Sequence, residues 1–308
     1  MTQAAMAQTT FERRPVVVGV DDSDSARDAA LWAADLAALW EAPLCLTHVV
    51  NRAGTVPAPK SPPWLREMGA AAERAGAATT TTQVRCGAPI DQLLDLSRRA
   101  RLLALGSYGD HGWSGMLAGA TALPLVADCA CPLVVVRGQS PGVPPPRGGP
   151  VVVGVDDTAA GAKAVEFAAH LASLSEHRQL VAVHTWSELV RDLAGHAHRL
   201  DADPSELGRR GAEVLERRLR PVLSQHPELR VERHVLPDTP LRALLDHATR
   251  AWLLVVGQRR SSSEDEPPLG STSRGLIGFA PCPVAVIPPA PAAAEALDTG
   301  QMHEELRR

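Results

Sequence analysis

The sequence predicts a doubly wound, Rossmann-like α/β fold, built as two five-stranded parallel-sheet domains in tandem. Three observations carry that expectation. Short apolar runs alternate with helix-forming segments along the whole chain. The runs are apolar at nearly every position, as strands buried beneath helices on both faces must be. The opening pattern also recurs once: Pro150 to Thr158 (PVVVGVDDT) repeats Pro15 to Ser23 (PVVVGVDDS) at an offset of 135. A length of 308 residues suffices for two such units, each burying its own core.

Residues 1–14 are polar and are expected to form a disordered tail. The first domain spans 15–137. Pro15 to Val20 is a buried strand that stops at Asp21 and Asp22. Ser23 or Asp24 caps the helix that follows, whose apolar side is Ala30, Leu31, Ala34, Leu36, Ala37 and Leu39. Leu44 to Val50 is the second strand; Gly and Pro break the chain between Asn51 and Lys60, Trp64 to Ala78 is helix-forming, and Thr79 to Arg85 is β-prone. Pro89 to Arg99 carries Ile90, Leu93, Leu94 and Leu96 at helical spacing and leads into the strand Leu102 to Leu105. Leu133 to Val136 is the last strand of this domain.

Residues 138–149 (GQSPGVPPPRGG) continue neither element and read as an interdomain linker. The second domain spans 150–288. In it Pro240, Gly257, Gly270 and Cys282-Pro283 repeat Pro89, Gly106, Gly119 and Cys131-Pro132 at an offset of 151, so about 15 extra residues enter between Trp186 and Glu228, as longer helical decoration. Residues 289–308 have no counterpart in the first copy and are expected to be a mobile tail. The final strands, Leu133 to Val136 and Val284 to Ile287, would be exposed apolar edges if left alone, which predicts an intramolecular pseudo-dimer joined along them.

Composition narrows the function classes. A formal net charge of −4 and a pI near 6.3 provide no basic footprint for nucleic acid. No window holds about 18 uninterrupted apolar residues, and the N-terminal segment lacks the apolar core of a signal peptide, so a cytoplasmic protein without a membrane role is expected. Five cysteines, Cys45, Cys86, Cys129, Cys131 and Cys282, form no CxxC pair and read as reduced, buried or half-buried thiols. His48 and His184 sit inside strands as hydrogen-bonded core residues, and His196 and His198 lie on a solvated face without a third metal ligand.

The stretch after the fourth strand is the richest in chemistry. Gly106, Gly109, Gly112, Gly115 and Gly119 follow the apolar run before a helix resumes. Such a loop, with bare amides feeding a helix N-terminus, suits a phosphate group. In a doubly wound sheet the ligand lies beyond the carboxyl ends of the strands where the strand order reverses. Asp21 and Gly106 stand at the two strand ends that meet there.

Taken together, VVVGVDDS, LTHVV, LALGSYG with Gly119 thirteen residues beyond Gly106, and CPLVVV resemble the universal stress protein family over nearly the whole chain, twice. The resemblance implies a tandem arrangement and, as in the family's ATP-binding members, a loop of Gly, two residues, Gly, nine residues, then Gly followed by Ser or Thr. The first copy has Gly106, Gly109 and Gly119 but Ala120 in place of the hydroxyl residue, with Thr121 next to it. The second keeps Gly257, Gly270 and Ser271 but has Arg260 for the middle glycine. The resemblance also assigns Asp21 and Asp156 to the adenine end, with the backbone at Val49 or Thr185 closing the base pocket, and takes in Val20 and Ser107. A helix-capping role is the alternative for Asp21.

The ligand so implied is ATP or another adenine nucleotide, with Mg as an optional companion. The intact backbone cradle favours the first copy, and Arg259 and Arg260 offer the second a substitute charge. No nucleophile paired with a base is evident, and neither a Ser-Gly-Gly-x-Asp-Ser loop nor a receiver-type acidic pocket is present. The expectation is therefore a non-catalytic nucleotide-binding stress factor acting with an unknown protein partner, with further homodimerisation open; a nucleotide-free scaffold is the alternative.

Overall fold

Valine and leucine fill the strand interiors, and a glycine ends the first and fourth strands of each repeat, Gly19, Gly106, Gly154 and Gly257. The computed structural model describes residues 14–51, 60–108, 121–140, 142–175, 178–186, 189–191, 197–199, 203–259 and 269–289. The expected tails, apart from Arg14 and Pro289, and His196 lie outside them. The first repeat comprises β1 (Val16–Gly19), α1 (Asp24–Leu39), β2 (Leu44–Val50), α2 (Pro63–Arg74), β3 (Thr80–Cys86), α3 (Pro89–Ser97), β4 (Leu102–Gly106), α4 (Ala122–Asp128) and β5 (Leu133–Val136). The second comprises β6 (Val151–Gly154), α5 (Ala159–Ser173), β7 (Leu180–Trp186), β8 (Leu189–Arg191), β9 (Ala197–Arg199), α6 (Pro204–Gln225), β10 (Val231–Pro237), α7 (Pro240–Ala248), β11 (Leu253–Gly257), α8 (Ser271–Phe279) and β12 (Val284–Ile287).

Within each repeat five strands run parallel, and the order reverses between the first and fourth strands, β1 and β4 or β6 and β11. The two units share one ten-stranded sheet, ordered β10-β7-β6-β11-β12-β5-β4-β1-β2-β3. They meet where β12 pairs antiparallel with β5, Val284 opposite Val135 and Val286 opposite Leu133. All four residues of each of these strands are buried. Among the described residues, no helix is long and apolar enough to cross a membrane.

Separate cores for the two units were expected, and the structure corrects this. One apolar cluster lies on each face of the sheet and each runs through both repeats: Val16, Val18, Val151 and Val153 belong to one, Val17, Leu133, Val152 and Val284 to the other. Alternating side chains along continuous strands make that inevitable once the sheets join edge to edge. The shared core also redefines α1. Leu31 and Leu39 sit at its margin, whereas Trp32, 3% exposed, stacks on Trp252 of the second repeat with ring centroids 5.6 Å apart. Phe167, the residue matching Trp32, meets Trp40 of the first repeat edge-on at 6.1 Å. Arg178 lies over Trp252 and Arg101 over Trp40, at 3.7 and 4.1 Å from the ring centroids.

Hydrogen bonds cross the same seam. The Arg137 guanidinium donates to the Gly278 carbonyl at 2.6 Å, and the Gln258 amide group donates to the Ala127 carbonyl at 2.9 Å. Ala127 and Gly278 are matching residues in the last turns of α4 and α8. The two repeats thus satisfy the same orphan carbonyl with different side chains.

The extra residues of the second repeat lengthen α6 to 22 residues against 12 for α2, and they also form the antiparallel pair β8 and β9. Longer helical decoration was expected there; α6 fits it, while Leu189–Arg191 and Ala197–Arg199 pair as strands instead.

Gly106 and Gly257 serve the packing of strand against helix. A Cβ on Gly106 would lie 2.5 Å from Ser25 Oγ and 2.8 Å from the Ser25 backbone; one on Gly257 would lie 2.6 Å from the Ala160 carbonyl carbon and 2.7 Å from Gly161 N. The fourth strand of each repeat therefore touches the first turn of the helix after the first strand. We expect Gly257→Ala to destabilise the protein by about 1 to 3 kcal/mol through this overlap. Urea unfolding checks it; a change below about 0.5 kcal/mol would show that the turn of α5 yields freely.

Candidate functional site

At the carboxyl ends of β1 and β6 the same local structure is built twice. Ser23 caps α1, its hydroxyl accepting from Ala26 N at 3.1 Å, and Thr158 caps α5, accepting from Gly161 N at 2.9 Å. Asp21 and Asp156 are therefore not the caps themselves. Each carboxylate accepts from the backbone amide and hydroxyl of its capping residue, at 3.0 and 2.6 Å for Asp156 with Thr158, and so orients that hydroxyl. Only Oδ1 is engaged in each case; Asp156 Oδ2 has no hydrogen-bond partner among the described residues. Gly161 lets the carboxylate settle on the helix start, since a Cβ there would lie 2.0 Å from Asp156 Oδ1.

His48 and His184 tie the second strand to the end of the first. His48 Nδ1 donates to the Val20 carbonyl at 2.9 Å and His184 Nδ1 to the Val155 carbonyl at 2.8 Å, which agrees with a hydrogen-bonded core role. The remaining ring of His184 faces Gly211 of α6, where any Cβ would lie 2.9 Å from its Cδ2.

In the second repeat these strand ends enclose a cavity of 320 Å³. Asp156, Gly257, Gly270 and Ser271, all expected at the site, line it, and so does Thr185. Arg259, Thr272, Ser273, Pro240 and Leu244 line it as well. Of these, Thr272, Ser273, Pro240 and Leu244 were not foreseen, although Pro240 was legible as the first residue of a helix matching the one at Pro89. The lining thus combines apolar side chains with hydroxyls and an exposed arginine. Among the described residues Arg259 has no carboxylate partner, and the α8 N-terminus has no side-chain cap.

Gly270 differs from Gly106 and Gly257. Its backbone, φ −59° and ψ 150°, suits any residue, and a Cβ on it would meet nothing within 4 Å among the described residues. No contact among the described residues requires glycine there, and Gly270 lines the cavity.

The first repeat places its expected residues differently. Val20 is buried, Val49 packs against the apolar cluster, and Ser107 is 7% exposed. The amide of Ser107 donates to Ser25 Oγ at 2.8 Å and that of Tyr108 reaches the same oxygen at 3.4 Å. The loop amides expected to face outward from these two residues are thus taken by a serine that sequence reading passed over. In the second repeat Ala160 stands in its place, and the Gln258 amide turns instead to the Ile287 carbonyl at 2.8 Å. The Thr121 hydroxyl does not cap α4. Gly109, Gly119 and Ala120 lie outside the described residues.

The chain matches the profile of the Universal stress protein family over residues 12–137 and again over 149–288. It is 30% identical over 289 residues to "Universal stress protein Rv2623" of Mycobacterium tuberculosis, covering 88% of this chain and 95% of that one. It is equally 30% identical, over 292 residues, to "Universal stress protein Mb2028c" of Mycobacterium bovis, covering 88% and 96%. A universal stress protein structure from Archaeoglobus fulgidus superposes with a TM-score of 0.62 at 17% identity, across 89% of this chain and 98% of that one, a likeness of fold. Two profile matches, relatives of similar length and a duplicated strand-end architecture together place the chain in the universal stress protein family, as a tandem of two such domains.

Proposed function

We propose that the protein is a stress-response factor that holds an adenine nucleotide, ATP in the first instance, in the cavity of the second repeat and does not turn it over. Gly270 carries the reading. A residue that, among the described residues, no internal contact or backbone strain restricts to glycine sits at an uncapped helix start beside a cavity of 320 Å³, within the range of about 300 to 1,000 Å³ common to small-molecule sites. Bare amides at a helix N-terminus and Arg259, which has no carboxylate partner among the described residues, favour phosphate. At the other end Asp156 Oδ2 can accept from an adenine amino group or a ribose hydroxyl, against the apolar side made by Pro240 and Leu244. Mg²⁺ in such sites is held largely by the phosphates and water, and would arrive with the nucleotide.

The donor set supports binding without turnover. Among the described residues the cavity wall offers one carboxylate, one arginine and several hydroxyls, and the His184 Nδ1 proton is committed to Val155. These groups stabilise a bound anion; hydrolysis needs in addition a base placed on an attacking water. Signalling from the bound state to a protein partner in the cytoplasm completes the reading.

Gly270→Asp should leave the fold intact or stabilise it by up to about 1 kcal/mol, since the carboxylate caps α8, while weakening ATP at least about tenfold by filling the amides with like charge. Paired thermal melts and calorimetry read both effects. Unchanged ATP affinity in a well-folded variant would remove the phosphate from this helix start.

Asp156→Ala should cost more ATP affinity than Asp21→Ala. The opposite order would move the site to the first repeat, and absence of nucleotide from freshly purified protein together with no binding by calorimetry would favour the scaffold reading. Incubated ATP should be recovered intact by chromatography. Release of ADP at enzymatic rates, on the order of 1 s⁻¹ or faster, would overturn the non-catalytic assignment.

A further inference from the structure

We infer that Cys129 and Cys131 form a dithiol site, confined to the first repeat, that a hydroperoxide converts to an intramolecular disulfide. Cys129 closes α4, with its amide donating to the Leu125 carbonyl at 2.9 Å, and Cys131 precedes Pro132 at the start of β5. Their sulfur atoms lie 3.9 Å apart, in contact, and the residues are 6% and 3% exposed. Residues two apart cannot separate their Cα atoms by more than about 7 Å, the upper limit that a disulfide bridges. The sulfur atoms must close from 3.9 Å to a bonded distance of about 2.05 Å.

The surroundings divide the two thiols into a nucleophile and a proton carrier. A hydrogen bond from the Cys131 thiol, supported by the Cys131 and Ala130 amides, holds the Cys129 thiol below its ordinary range. The same hydrogen bond, with burial and the neighbouring charge, pushes Cys131 well up. Ser97 is fixed, accepting from Ala130 N at 3.1 Å and donating to the Leu94 carbonyl at 2.7 Å. The Cys129 thiolate attacks the terminal peroxide oxygen, the O–O bond breaks, and Cys129 becomes a sulfenic acid as alkoxide, or hydroxide from hydrogen peroxide, leaves and takes a proton. The Cys131 sulfur then displaces the sulfenic oxygen, which departs as water with the Cys131 proton. Two thiols are oxidised by two electrons, and one hydroperoxide is reduced to water and an alcohol, or to two waters when it is hydrogen peroxide.

The second repeat is an internal control. Ala280 stands where Cys129 would be, fully buried, and Cys282 matches Cys131. Burial pushes the Cys282 thiol up to about 12, and it has no second sulfur. The fold therefore accepts alanine at the first position, and the pair answers to no packing requirement that the second repeat shares.

Reduced, folded full-length protein is treated with excess hydrogen peroxide, denatured, alkylated, digested and weighed. The peptide bearing Cys129 and Cys131 should escape alkylation and be lighter by two hydrogens than its reduced form, a change reversed by dithiothreitol, while Cys282 remains fully alkylated. Cys129→Ala, which copies the residue of the second repeat, should abolish the mass loss with the circular dichroism spectrum unchanged; Cys131→Ser gives the same readout from the other side. Full alkylation of both thiols at peroxide levels that oxidise Cys45 or Cys86 would overturn the proposal. So would added oxygen atoms in place of the lost hydrogens, or a disulfide to any other cysteine.

Discussion

Val284 opposite Val135, Ala285 opposite Val134 and Val286 opposite Leu133 are the pairings on which the rest of the molecule depends. Each strand would otherwise be an apolar sheet edge with unmet amides and carbonyls, which costs stability and invites association. Pairing them antiparallel joins two parallel sheets into one, and continuous strands then force the clusters on both faces to run through both repeats. Trp32 and Trp40 meet Trp252 and the half-buried Phe167 because that joint sets α1 against the second repeat. The outer edges, β3 and β10, are left to threonines, charged residues and Pro237, side chains that suit a solvent-facing edge.

The joint also sets where a ligand can go. With strands parallel inside each repeat, every strand in that half ends on the same side, and the order reverses between the first and fourth strands. The helices diverge at that point, and the cavity of the second repeat occupies the gap. Close packing of the fourth strand on the first helix turn sets Gly106 against the helix start that follows Asp21, and Gly257 against the one that follows Asp156. The repeats then part ways. A serine hydroxyl takes the Ser107 amide in the first, whereas in the second an alanine stands at that position and the exposed Arg259 lines the cavity.

The alternation of buried strands and helices, the duplication, the capping of α1 and α5 and the hydrogen-bonded histidines could all be read from residue patterns, because each depends on neighbours a few positions away or on a period along one element. The site was partly legible for the same reason. Asp156, Gly257, Gly270 and Ser271 are strand-end and helix-start residues, marked by composition, and the cavity gathers all four. Leu93 likewise fell on the buried side of α3, while Ile90, Leu94 and Leu96 are only partly covered because the helix lies at the flank of the sheet.

What only the tertiary structure decided are the contacts between residues far apart in the chain. No local pattern distinguishes Gly257, which packing demands, from Gly270, which packing leaves free; the difference is the presence of Ala160 on one side and open space on the other. Nor does spacing show that Ser25 captures the Ser107 amide, or that Gln258 and Arg137 serve matching carbonyls across the seam. The sequence determined two α/β units with apolar last strands and a motif-bearing rim on each. Their union into a single sheet with shared cores, and the divergence of the two rims, arose from packing between residues 80 or more apart, where a side chain's role is set by what it meets and not by its own kind.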